Sequence, residues 1–246
     1  MFSTRSPFQK APAINPRAII VSHGQPSDPD PAEASLADFA GQVAHALPDW
    51  QIESATLANP GALDRAFAKT GPGAMIYPLF MTKGWFTSDA LQDRIAERAA
   101  HVARPFGLDP DLPNMARDIL MNAAAAQGWL TTETRVFIAA HGSGRSPASS
   151  QNTNAFADAL TRLTRFAEIR VGFVEEPPYL ADMAFDLGEQ SICLPFFAAA
   201  GGHVLDDIPE ALTIADFKGV CLPPIGCAAQ APGLVAQALM REVLTV

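Results

Sequence analysis

Apolar positions along this chain fall into two alternating patterns. Short runs such as Ala18-Ile19-Ile20-Val21 and Val136-Phe137-Ile138-Ala139 are separated by longer stretches in which apolar residues recur every three or four positions. The first pattern reads as buried strand and the second as amphipathic helix. Their alternation predicts βαβ units, an α/β fold in which a parallel sheet is covered by helices. In the second half the strands are expected at about 135–140, 169–174, 191–197 and 219–222. The helices are expected at about 152–166, 179–187, 205–214 and 232–244, with equivalents of all of these in the first half.

The pattern also repeats on a longer scale. Ser22-His23-Gly24 recurs as Ala140-His141-Gly142, and Leu57-Ala58-Asn59-Pro60 aligns with Val174-Glu175-Glu176-Pro177. Tyr77-Pro78-Leu79-Phe80 returns as Leu194-Pro195-Phe196-Phe197, and Pro105-Phe106-Gly107 as Pro224-Ile225-Gly226. All four pairs keep their order and are separated by 117 to 119 residues. That regularity indicates one duplicated unit rather than a solenoid of short repeats. The joint is placed in Gly128–Thr134, after an Ala-rich helical stretch, giving units of residues 1–130 and 131–246.

The copies differ in their chemistry. His23 and His141 match, but Glu175 faces Ala58 and His203 faces Phe86. The second half therefore offers His141, Glu175 and His203, whereas the first offers His23 alone. All three second-half residues follow predicted strands, so they collect at the carboxyl edge of an open α/β sheet, where ligands bind. Gly201 and Gly202 before His203 leave room for close backbone approach. Two imidazoles and a carboxylate suit a borderline divalent metal: iron, cobalt, nickel or zinc. The competing reading is that each histidine caps a loop, and three suitable residues at three strand ends weigh against it.

Composition narrows the partners. A formal net charge of −9 without a basic run argues against nucleic acid. No apolar stretch reaches the length of about 18 residues that a membrane span needs, and the first 16 residues lack the apolar core of a signal peptide. A cytoplasmic protein without a membrane partner is expected. Cys193, Cys221 and Cys227 lack a C-x-x-C pair and read as reduced thiols, with Cys227 a minor candidate ligand. The Ser143-Gly144-Arg145-Ser146 loop is equally consistent with an anion cradle and an ordinary turn. It is neither a Walker loop nor a dinucleotide fingerprint, so no nucleotide is expected. His45 and His101 read as structural. Asp206-Asp207 reads first as acid in a helix's first turn, and a second metal site is the weaker alternative.

Ala140-His141-Gly142-Ser143, Gly172-Phe173-Val174-Glu175 with Pro177, and Leu194-Pro195-Phe196-Phe197 running into Gly201-Gly202-His203-Val204-Leu205-Asp206-Asp207-Ile208-Pro209 resemble the sirohydrochlorin cobalt- and iron-chelatases, a family of class II, ATP-independent tetrapyrrole chelatases. The resemblance covers roughly residues 17–245. It implies two chelatase-like α/β units with a cleft between them and insertion of cobalt or iron into sirohydrochlorin or a related tetrapyrrole, with zinc or nickel accepted in vitro. By the same resemblance His141, His203 and Glu175 bind the metal and handle pyrrole protons. Arg145, Ser143, Lys83, Gly201, Gly202 and His23 then line the substrate, and the protein is a monomer or homodimer. Phe86 and Ala58 depart from the family motif, which leaves the first half without a metal site of its own. The alternative class is a module that binds or delivers a metal or tetrapyrrole without turnover. A hydrolase using His141 as base ranks below both, since no nucleophile elbow is present.

Overall fold

A computed structural model describes residues 15–84, 92, 95, 98–144 and 146–245, the last without its side chain. Phe86, Arg145 and Ser88-Asp89-Ala90-Leu91, which the sequence offers as the first half's remnant of the Asp206-Asp207-Ile208-Pro209 motif, lie outside the described residues.

The first half follows the alternation expected from its sequence: β1 (Arg17–Ser22), α1 (Pro29–Ala46), β2 (Gln51–Thr56), α2 (Ala62–Thr70), β3 (Met75–Pro78) and α3 (Leu112–Ala126). The second continues with β4 (Arg135–Ala140), α4 (Ala148–Leu163), β5 (Glu168–Phe173), α5 (Leu180–Ala184), β6 (Ser191–Pro195), α6 (Ile208–Ile214), β7 (Val220–Cys221) and α7 (Ala231–Thr245). Every strand pairing in both sheets is parallel, in the orders β2-β1-β3 and β5-β4-β6-β7. The central strands β1 and β4 have their middle residues fully buried, which is why they read as continuous apolar runs. The fourth strand of the first sheet is reduced to a single parallel bridge, Ile76 to Val102, where the second half has β7 beside β6.

The backbone repeats the duplication at the sheet edges. Ala58 N–H donates to His23 O at 2.9 Å and Glu175 N–H to His141 O at 3.0 Å. Gly107 N–H donates to Phe80 O at 2.9 Å and Gly226 N–H to Phe197 O at 3.0 Å. The pairing of Ala58 with Glu175 read from the sequence is thus also a pairing of backbone positions.

The last helix of each half leaves its own sheet. α3 lies against α4 and β6 of the second half, and α7 lies against α1 of the first. One apolar core accordingly runs through both halves, from Ile20, Val43 and Tyr77 to Ile138, Leu194 and Leu239. Arg241 on α7 reaches back to the first half, forming ion pairs of 2.5 Å with both Asp109 and Asp111. Asp109 is buried, and that burial, more than any neighbouring charge, pushes its carboxyl above the ordinary range. No described helix is long and apolar enough to cross a membrane.

The larger differences from the sequence reading lie in the second-half helices. α4 begins at Ala148 rather than 152, with Pro147 at its N-cap position and the Gln151 N–H bonded back to Pro147 O. α5 is a short turn, Leu180–Ala184. Residues His203–Asp207 form a π-helical turn, closed by Ile208 N–H on His203 O, before α6 starts at Ile208.

Candidate metal centre

Strand order brings the three second-half residues together. β4 is flanked by β5 and β6, and all three run in one direction, so their carboxyl ends share one edge. His141 leaves the middle strand, Glu175 comes two residues beyond β5, and the loop after β6 delivers His203 on its π turn. Gly142 allows His141 to turn out of the sheet: its φ is 70°, and a Cβ there would lie 2.9 Å from Phe173 Cβ and Glu176 Cγ.

The ligand atoms of His141, Glu175 and His203 lie within 4.8 Å of one another, the only such group of three or more His, Cys, Asp or Glu side chains among the described residues. The imidazoles meet edge to face, with centroids 4.5 Å apart and planes at 87°. His141 Nδ1 lies 2.8 Å from Gly142 O, and His203 Nδ1 lies 2.6 Å from Asp207 Oδ2. A carbonyl and a carboxylate accept hydrogen bonds, so each neutral ring carries its proton on Nδ1. The lone pairs of both Nε2 atoms then face each other across 3.1 Å. Two acceptors at that distance call for a cation between them. Ligation by both at 2.0–2.1 Å from one metal implies a nitrogen separation of about 2.8–3.4 Å for bond angles between square and tetrahedral. His141 and Glu175 are exposed and His203 is half-buried, so the centre opens to solvent.

The remaining sequence candidates fall around this group or away from it. The Ser143 N–H donates to Glu176 Oε1 at 2.7 Å, and Ser143 Oγ accepts from the Ser146 N–H at 3.2 Å. Those two amides are therefore occupied within the protein. Gly201 and Gly202 are exposed immediately before His203. His23 stands at the equivalent edge of the first sheet with the same Nδ1 contact, 2.9 Å to Gly24 O, but lies outside the three-residue group. Lys83 is exposed in the first half after β3. Cys227 is also outside the group; burial raises its thiol, partly offset by the Ala200 backbone, which makes it a poor ligand near neutral pH.

Two residues were missed. From the sequence Asp207 reads as acid at a helix start, and its four-residue spacing from His203 is the available signal. Glu176, which holds the His141 loop through Ser143, had none beyond its place beside Glu175.

Comparison with known proteins decides the family. A family model described as CbiX matches residues 135–241. A solved structure of CbiX, described as the terminal enzyme for biosynthesis of siroheme in denitrifying bacteria, is 43% identical, with 92% of this chain and 98% of that one covered and a TM-score of 0.84. The chain belongs to the CbiX family. SirB from Bacillus subtilis, solved with Fe3+, has the same fold at 15% identity, covering 92% of this chain and 95% of its own with a TM-score of 0.72. A "Probable sirohydrochlorin cobaltochelatase" of Halobacterium salinarum is 22% identical over 237 residues, 78% of this chain and 75% of that protein. The matched span of the CbiX model contains His141, Glu175 and His203.

Proposed function

We propose that this CbiX-family protein inserts a divalent metal, iron or cobalt, into sirohydrochlorin without nucleotide. The observation that carries this reading is the pair of Nε2 atoms facing each other at 3.1 Å beside a carboxylate at an open sheet edge. The family relationship supplies the substrate class. A delivery module is not favoured, since the relative at 43% identity is described as an enzyme.

Insertion exchanges one divalent cation for the two protons on the pyrrole nitrogens, so the site must release a metal and accept protons in the same place. His141 and His203 hold the incoming metal through Nε2. As the metal passes to the macrocycle, the same lone pairs become free to take the departing protons, and Glu175 completes the metal's coordination or relays protons to solvent. Exposure of His141 and Glu175 lets a flat macrocycle approach this edge. Lys83 and Arg145 supply positive charge for the substrate's peripheral carboxylates, with Ser143, Gly201, Gly202 and His23 along its boundary. Zinc and nickel fit the same donor set in vitro.

The test is anaerobic incubation of the protein with sirohydrochlorin and Fe(II) or Co(II), followed by absorption. Enzyme-dependent conversion to the metallated spectrum is expected over many turnovers. Binding of sirohydrochlorin or metal without conversion would overturn the reading.

A further inference from the structure

We infer that Asp207 is a positioning residue that fixes the tautomer of His203, and with it the availability of the Nε2 lone pair to the metal. This rests on the metal-site reading above and adds a residue to it.

The two imidazoles are oriented by different means. His141 leans on the carbonyl of its own neighbour, Gly142, a contact the duplicated His23 also makes with Gly24. That bond belongs to the loop conformation common to both halves and exists at His23, which joins no metal-binding group among the described residues. His203 instead uses a side chain: Asp207 Oδ2, 2.6 Å from Nδ1 and four residues further along the same π turn. Residues four apart on a helical turn share a face, so the carboxylate stands behind the ring while Nε2 points toward His141. The turn itself closes between His203 O and Ile208 N–H and does not need the Asp207 side chain. A carboxylate behind a ligating imidazole holds the proton on the far nitrogen and orients the ring. Without Asp207, nothing described on the Nδ1 side of His203 keeps the proton there. A ring protonated at Nε2 would present N–H, not a lone pair, to the metal and to His141.

Asp207→Ala and Asp207→Asn test this, because Asn retains an acceptor oxygen without the charge. The first readout is the imidazole 15N spectrum of the metal-free protein, which reports which nitrogen bears hydrogen and which a purely structural role would not move. The second is titration with Co(II) alone. The wild type is expected to show His203 protonated at Nδ1. Asp207→Ala should lose that signature and bind Co(II) about 10–100-fold more weakly, with Asp207→Asn between the two. A wild-type tautomer or wild-type cobalt affinity in Asp207→Ala would overturn the inference. Failure of the wild-type protein to bind Co(II), or undiminished binding by His203→Ala, would overturn the metal-site reading and this inference with it.

Discussion

Each imidazole of the facing pair is anchored through Nδ1, His141 on the Gly142 carbonyl and His203 on the Asp207 carboxylate. The sequence marked His141, Glu175 and His203 because they stood where the duplicated copy has only His23, and the structure brings these three within 4.8 Å. It could not show that Asp207 turns back onto His203 or that Glu176 takes the Ser143 amide, since partner choice by a carboxylate depends on which donors the folded chain presents. Glu175 differs from both in facing the metal group rather than bracing it. Glu175→Gln keeps the size and an oxygen donor but removes the charge and the capacity for a proton. It is expected to slow insertion by about 10²-fold or more while weakening Co(II) binding less than it slows turnover. Single-turnover rates set beside a cobalt titration check this. Equal losses in both would reduce Glu175 to a ligand.

Among the elements, strands were the most legible. β4 occupies the expected 135–140, and β5 and β6 follow within two residues; β4 and β6 are buried along almost their whole length and read as apolar runs, while β5 carries Glu168 and Arg170 on its half-buried part. Helix partners were not legible. The amphipathic faces of α3 and α7 state that each packs against something, but nothing in a face's periodicity says which half supplies the partner. The exchange places Arg241 of α7 against the buried carboxylate of Asp109, whose side chain is 4% exposed. Arg241→Ala leaves that charge without its ion pair and is expected to cost on the order of 3 kcal/mol near neutral pH. The pH trend has a definite sign. Burial raises Asp109 above the ordinary carboxylate range, and losing Arg241 raises it further. A carboxyl raised on folding favours the folded state most below its unfolded value, and that contribution is lost as pH rises through the folded value. The deficit of Arg241→Ala should therefore shrink as the solution is acidified through the upper carboxylate range. Denaturant unfolding of both proteins across that range measures it, and a deficit independent of pH would place the damage elsewhere.

At the scale of the whole molecule, two copies of one design share a core and differ in what stands at their sheet edges. Every backbone bond that places Glu175 beside His141 has its equivalent placing Ala58 beside His23. Architecture alone therefore does not distinguish the halves; the proposed assignment rests on the side chains at Glu175 and His203. Substituting the matched histidines one at a time separates the two. The measurement is single-turnover insertion of Co(II) into sirohydrochlorin by His23→Ala, His141→Ala and His203→Ala, each shown to be folded by circular dichroism. With the centre in the second half, His141→Ala and His203→Ala should each lose about 10²–10⁴-fold, the usual contribution of a positioned base, with ligation lost in addition. His23→Ala should lose far less. A dead His23→Ala alongside near-normal His141→Ala and His203→Ala would put the working site in the first half.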